Sequence, residues 1–493
     1  MSLLFANLDL VRPAAVIWPA AVAALVAIVL WLILSSVVSS HRGAALVVTA
    51  LMLLSFNHLG IVQLAGSSRV GVALIYTTGL GVAVLILRAG DRTTALTTHA
   101  TQVLTLALLV LGAAIGRAEW VRPKLAVPPG GAVHRSRASD LPDVYVLILD
   151  GYGRADILRE QYSFDNKLVP ALRARGFFVA DESASNYPQT THSLASSLNV
   201  DYLPELMGAP GTPAPSRRNL ADLITDNRVF TSFAAAGYEI RTYSSEYELV
   251  RPGRATERPA PAGYLTDFGY SAYEATLAPT LFQLVGLPRA WAPLILHRRH
   301  IRWTLDDLAR RAGDLHRQPR LVFAHVLAPH PPFAFNADGT SRATKLPALL
   351  SDGDHWEAIA RGAGESYQSG YVDAVSFLNG RVLHVVESVL NNAVRPTILY
   401  IQGDHGPGAG LKWDSADASD VRERHGILMA MRFPDATEPP LDHQTTPINA
   451  FRVLLNRALG SELPPVGDRS YFVTWDRPFE FLDVTDRVRG PAN

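Results

Sequence analysis

Asp143-Val-Tyr-Val-Leu-Ile-Leu-Asp150-Gly151 is an apolar run, rich in β-branched residues, that stops at an acidic residue beside a turn glycine. Far downstream, Thr397-Ile-Leu-Tyr-Ile-Gln-Gly-Asp404-His405-Gly406 repeats the pattern. Each reads as a buried strand that delivers a carboxylate to its own end. In open α/β sheets that strand end is where ligands bind. An Asp at one tip and an Asp-His pair at another are the donor types of a single metal site. A core strand closing on Asp-Gly is also an ordinary way to make a turn, and only the two stretches together point to a shared site.

Around these stretches, strand-like runs alternate with helical patterns. Strands are predicted at Val144 to Leu149, Phe177 to Ala180, Glu239 to Tyr243, Arg320 to Val326, Thr397 to Gln402 and Ile427 to Phe433. Helical patterns fall near Phe164 to Arg175, Leu220 to Ala236, Ile301 to His316, Tyr367 to Asn391 and Pro447 to Leu459. In the last of these, Thr446 serves as cap and Pro447 takes the first helical position. This alternation predicts an α/β domain, a mostly parallel sheet sandwiched by helices.

The N-terminal quarter is different. The runs Pro13 to Ser40, Gly43 to Ser68, Val70 to Leu87 and Thr93 to Gly116 contain no Asp, Glu, Lys or Arg. At about 1.5 Å per helical residue, each spans or nearly spans the roughly 30 Å of bilayer hydrocarbon. The expected organisation is a four-helix transmembrane region over residues 1–120, a Pro- and Gly-rich linker over 121–142, and a catalytic domain over 143–493. A cleaved signal peptide would explain only the first run, and four successive uncharged runs leave no polar face for a soluble core. Counting basic residues near the helix ends puts the large domain in the cytoplasm, but long domains follow that rule weakly. The 493 residues carry 45 basic and 45 acidic side chains and no cysteine. Disulfides and thiolate ligands are therefore excluded, and nothing in the charge balance points to nucleic acid.

Between the two acidic tips lies Ser185-Asn186-Tyr187-Pro188-Gln189-Thr190-Thr191-His192-Ser193-Leu194-Ala195-Ser196-Ser197-Leu198-Asn199, read as a turn leading into a short helix. A Thr at a helix start is an N-cap by default. The same hydroxyl can be a nucleophile, because first-turn amides stabilise a phosphoryl group and a bound divalent metal lowers the hydroxyl's pKa.

Asp150-Gly, a Thr at a helix start, His325-Val-Leu-Ala-Pro-His330-Pro-Pro-Phe and Gly403-Asp404-His405-Gly406 resemble, in kind and order, the motifs of the alkaline phosphatase and sulfatase superfamily. The chain looks most like its membrane-anchored branch, which includes lipoteichoic acid synthases and phosphoethanolamine transferases. The resemblance implies an alkaline phosphatase-like fold on an anchor in the plasma or inner membrane, with the catalytic domain extracytoplasmic. It also implies that Asp150, Thr190, Asp404 and His405 are metal ligands and that Thr190 is the nucleophile. Thr190 is preferred to Thr191 because Ser193 then stands three positions after it, as a serine does after the modified cysteine of sulfatases. By the same resemblance, His330 contacts the phosphate or leaving group. His325 and Asn199 are candidate substrate-binding residues, although a buried, hydrogen-bonded histidine and a helix C-terminal Asn are the plainer readings of each. The sulfatase pattern Cys-x-Pro-Ser-Arg is absent, so sulfate-ester hydrolysis is not expected.

A ligand set of three oxygens and one nitrogen suits Mn²⁺, Zn²⁺ or Mg²⁺. One such ion is expected; a second would have to use His330, His425 or His443. His425, in Glu423-Arg424-His425-Gly426, reads equally well as a surface residue. The implied activity is transfer of a phospho-substituent, of phosphoethanolamine or phosphoglycerol type, from a membrane phospholipid to an envelope glycan or lipid through a phospho-threonine. The alternatives are a phosphodiesterase or phosphatase of the same superfamily, a non-catalytic envelope binding protein, and a transporter. The transporter reading is weakened by the absence of acidic residues from the apolar runs.

Overall fold

The structure is a computed structural model that describes residues 17–38, 40–65, 69–89, 141–207, 216–435 and 441–489, together with the single residues Thr98, Gln102, Leu106 and Val110. Apart from those four single residues the fourth apolar run lies outside the described residues, as does most of the predicted linker. The chain divides into two compact units, Met1–Pro123 with Thr266–Trp291, and Lys124–Leu265 with Ala292–Asn493.

In the first unit, the apolar runs form the helices Ile17–Val37, His41–Phe56, His58–Leu64 and Arg69–Ala89. The second run is thus two helices, broken at Asn57. Ser40 opens His41–Phe56 by accepting from the Gly43 amide at 3.0 Å. A β-carbon on Gly79 would lie 2.7 Å from the Leu54 side chain, so the glycine lets the helices His41–Phe56 and Arg69–Ala89 pack closely. Among the described residues one helix, Pro19–Val37, is long and apolar enough to cross a membrane; His41–Phe56 and Val70–Leu85 are apolar but shorter. The expected four-helix region is therefore represented by one span of full length. Within the same unit lie the short helices Asp267–Glu274 and Ala278–Leu284.

The second unit is built on a six-stranded sheet. Its strands are β1 (Asp143–Leu149), β2 (Phe178–Val179), β3 (Glu239–Thr242), β4 (Arg320–Val326), β5 (Thr397–Gly403) and β6 (Met429–Arg432), in the order β2-β6-β5-β1-β4-β3. β1 pairs in parallel with both β4 and β5, and β3 pairs in parallel with β4. Only β6 runs against its neighbours. Each strand lies within about two residues of its predicted position. The continuous apolar runs of β1, β4 and β5 follow from burial on both faces. On one face Val144, Val146, Ile148, Phe323 and Tyr400 join the core with Leu194 and Leu198 beside one helix and Phe451 and Leu454 of another. On the other, Tyr145, Leu147, Val322 and Leu399 meet Leu308, Val385 and Val386 of the helices Trp291–Arg310 and Tyr367–Asn392.

Parallel pairing brings the C-terminal ends of three strands together. Leu149 is in register with Val326 on one side and Gly403 on the other. The residues that follow, Asp150 and Asp404, therefore emerge side by side, with His325 one strand away. A β-carbon on Gly403 would lie 2.4 Å from the Tyr152 carbonyl oxygen, so the approach of the β5 tip to the turn after β1 requires glycine there.

Candidate active site

The turn after β1 is tied down on both sides. The Asp150 amide donates to the Val326 carbonyl at 3.0 Å, and the His330 amide donates to the Asp150 carbonyl at 3.0 Å. Gly151 adopts φ +76° and donates its amide to Asp404 Oδ1 at 3.0 Å. This anchors one oxygen of Asp404 and leaves Oδ2 without a hydrogen-bond partner, as it also leaves Asp150 Oδ1. Both carboxylates are buried, at 0% and 1% exposure. Unpaired buried carboxylate oxygens cost several kcal/mol each, so the pair calls for a cation.

Thr190 is the first residue of the helix Thr190–Ser197, whose cap position is Gln189. Its hydroxyl is therefore free of the capping role and stands 3.2 Å from His405 Nε2. Thr191 Oγ1 instead lies 3.5 Å from Nδ1 of the adjacent His192. Ser193, one turn on, donates its hydroxyl to the Asp404 carbonyl at 2.7 Å and docks the helix start on the β5 tip. The backbone N–H groups ahead of Ser193 have no intrahelical acceptor and face the same end.

His405 is held in one tautomer. Nδ1 lies 2.9 Å from the Gly406 carbonyl, which can only accept, so Nδ1 carries the proton. Nε2 then presents a lone pair 3.2 Å from Thr190 Oγ1, 3.4 Å from Asp150 Oδ1 and 3.6 Å from Asp404 Oδ2. Burial, reinforced by the Arg424 guanidinium, pushes the His405 pKa down and keeps the ring neutral. Burial alone would raise Asp150, but attraction to His330 and the contact with His325 outweigh it and hold the carboxyl well below its ordinary range.

His325 stands nearer the centre than its reading as a buried strand residue suggests. Its Nδ1 is 2.8 Å from Ser245 Oγ, and its Nε2 is 3.2 Å from Asp150 Oδ2 but off the line of a hydrogen bond. Asp150, His325 and Asp404 each present a donor atom within 4.8 Å of the others. Three unsatisfied donors on one point fit a divalent metal. Among the described residues this is the one group of that kind.

The predicted substrate contact of Asn199 is not what its surroundings allow. Both hydrogens of its amide go to backbone carbonyls, Ala195 at 2.8 Å and Leu223 at 2.9 Å, and its oxygen accepts from the Arg228 amide. It is a structural joint with no donor left for a phosphoryl oxygen. His425 is not on the surface: it is fully buried, with Nδ1 3.0 Å from the Ser185 carbonyl, and burial lowers its pKa to about 4. His443 is more than half exposed and sits 3.4 Å from Asp181. His330 lies beside the centre, its ring 6.2 Å from that of His405 and its Nδ1 2.6 Å from the Pro331 carbonyl.

A second layer was not anticipated. Arg424, 1% exposed, donates to Asp352 at 2.5 Å and to the Pro188 carbonyl at 2.8 Å, and its Nη2 is 3.3 Å from His405 Nε2. Tyr367 donates to the other oxygen of Asp352 at 2.7 Å. His330 Nε2 is 3.9 Å from Asp352. Leaving the histidines aside, the carboxylates of Asp150, Asp352 and Asp404 face the single guanidinium of Arg424, a balance of three negative charges against one positive. A divalent cation would cancel the difference.

No protein-family model and no curated protein matches the chain. Among solved structures, it is similar to the integral membrane lipooligosaccharide phosphoethanolamine transferase A (EptA) from Neisseria meningitidis, at 15% identity over 79% of this chain and 68% of that one, with a TM-score of 0.42. It is also similar to the C-terminal periplasmic domain of EptC from Escherichia coli, at 12% identity over 73% of this chain and 96% of that one, TM-score 0.42. A 2-O GAG sulfatase follows at 14% identity over 68% and 74%, TM-score 0.41. The EptC domain is also found as a complex with zinc, at TM-score 0.41.

Proposed function

We propose that the protein is a membrane-anchored, metal-dependent phosphotransferase that moves a phospho-substituent of phosphoethanolamine or phosphoglycerol type from a phospholipid to an envelope glycan or lipid. The single observation that carries this reading is the Thr190 hydroxyl, freed from capping and facing the His405 lone pair beside two half-satisfied buried carboxylates.

Asp150, Asp404, His405 and Thr190 would hold the ion, with His325 as a further donor. When bound, a divalent ion supplies Lewis acidity and lowers the pKa of a coordinated hydroxyl. Thr190 Oγ, having given up its proton before the substrate reacts, attacks phosphorus in line; the bond from phosphorus to the lipid oxygen breaks, and the departing alcohol takes a proton from His330. The helix-start amides receive charge on the non-bridging oxygens. In the second half, the acceptor hydroxyl gives its proton to His330 and attacks the phospho-threonine, returning Thr190 to its starting state. The Nδ1 contact of His330 to Pro331 leaves Nε2 for this shuttling.

The membrane setting is supported by side chains that face outward from the apolar helices. Leu25, Ile33, Leu53, Leu74 and Leu85 are 58–66% exposed, an arrangement suited to lipid and costly in water. Several spans with the second unit extracytoplasmic is the topology this reading adopts.

The test uses the full chain in vesicles with headgroup-labelled phospholipid and a glycolipid acceptor. Wild type is expected to label the acceptor and to yield an intermediate heavier by the phospho-substituent, mapped to Thr190. Thr190→Ala should lower turnover by at least about 10³-fold. Unchanged turnover in Thr190→Ala sinks the mechanism. Release of free headgroup phosphate with no labelled acceptor establishes the hydrolase instead.

A further inference from the structure

We infer that residues 275–291, an insertion in the chain of the second unit that folds with the first, form a hairpin that contacts lipid at the membrane surface. From Ala275 to Pro288 there is no Asp, Glu, Lys or Arg. The helix Ala278–Leu284 buries little of this stretch, and at its tip Leu281, Leu284 and Val285 are 51%, 77% and 72% exposed, with Trp291 at 41%. Three large apolar side chains together on one short element, with a half-exposed tryptophan near its base, form a surface that water does not favour.

The hairpin is built to hold those side chains outward. Gly286, at φ +80°, ends the helix, and Leu287 returns its amide to the Phe282 carbonyl at 2.9 Å. Phe282 lies between Tyr273 and Trp291, stacked on the first at a ring-centroid distance of 6.3 Å and tilted against the second at 5.8 Å. Tyr273 donates to the Arg289 carbonyl at 2.7 Å, and the Arg289 guanidinium pairs with Glu274 at 2.7 Å. The exposed tip is therefore braced from its base.

What covers the tip follows from where the hairpin is fastened. Leu277 donates its amide to Ser55 Oγ at 3.4 Å, and Thr280 Oγ1 is 3.1 Å from His58 Nε2, whose Nδ1 is 2.8 Å from Tyr76 OH. Ser55 and Tyr76 belong to the apolar helices His41–Phe56 and Arg69–Ala89, so the apolar tip continues their outward apolar surface. Tyr273 and Trp291 at the base and leucine and valine at the tip match the polarity gradient of a bilayer interface, into which such an element sinks about 5–10 Å. The occupant is a lipid surface.

The inference rests on reading the first unit's helices as membrane-embedded, and the experiment separates the two. The chain has no cysteine, so Leu284→Cys, Val285→Cys, Leu25→Cys and Asp417→Cys each give a single fluorophore site in the full chain in phospholipid vesicles. Lipids carrying a nitroxide at shallow or deep positions quench from the membrane side, and iodide quenches from water. The expected result is quenching at positions 284 and 285 by shallow nitroxide lipid, at least about twofold stronger than at 417, and quenching at 25 by deep nitroxide lipid. Iodide-sensitive probes at 284 and 285 with a lipid-quenched probe at 25 overturn the hairpin while leaving the membrane reading intact. An unquenched probe at 25 overturns both. Probes at 284 and 285 that neither agent reaches, with bismaleimide cross-linking of two chains at 284, overturn it in favour of a second copy.

Discussion

Thr190 shows how a single side chain changes meaning with its surroundings. Preceding a helix, a threonine is most simply a cap; here Gln189 takes that position and the hydroxyl turns to His405. The two unpaired oxygens of Asp150 and Asp404 yield a direct expectation. Wild type purified with manganese or zinc should retain about one ion per chain by elemental analysis, and Asp404→Ala should retain none, since the remaining donors no longer offset the cost of stripping water from the ion. Arg424 carries a second expectation. It and Asp352 are both buried, at 1% and 3% exposure, so Asp352→Ala leaves an uncompensated guanidinium. The variant should lose about 3–5 kcal/mol of unfolding free energy in denaturant titration, whereas a merely surface pair would lose under about 1 kcal/mol.

The strands were legible because their signal is local. β1, β4 and β5 are each an uninterrupted apolar run, and the chemistry of Asp-Gly and Gly-Asp-His-Gly marks where they end. Helices were read less completely. Leu220 to Ala236 is two helices, Arg217–Thr225 and Arg228–Ala235, because Asn227 caps the second by accepting from the Phe230 amide. Gly353–Ala360, which follows Asp352, was not read at all, its eight residues being too few to show a period. The joint between β5 and the turn after β1 makes its own prediction. Gly403→Ala would place a methyl 2.4 Å from the Tyr152 carbonyl, so the strand tips must part. The expected outcome is a thermal midpoint lower by several degrees together with loss of the bound metal, measured on one preparation; an unchanged midpoint would mean the tips yield without cost.

Taken whole, the chain joins an apolar helical unit to an α/β unit, and the insertion of residues 266–291 into the first means that the units are not consecutive in sequence. With Pro19–Val37 long enough to span hydrocarbon, the full-length protein should stay with membranes through an alkaline carbonate wash and be released by detergent. Recovery in the wash supernatant would contradict the anchor.

Composition and the order of residues were enough to mark the apolar helices, the sheet and the acidic strand tips, since each depends on neighbours a few positions away. Folding alone decided the rest of the site. Thr190 meets His405 across 215 positions and Arg424 meets Asp352 across 72. The same approach brings His325 beside Asp150 and ties Asn199 to backbone carbonyls. No local pattern encodes which distant segments will share one buried volume, and that sharing is what sets the tautomer of a ring, the partner of a charge and the work of a hydroxyl.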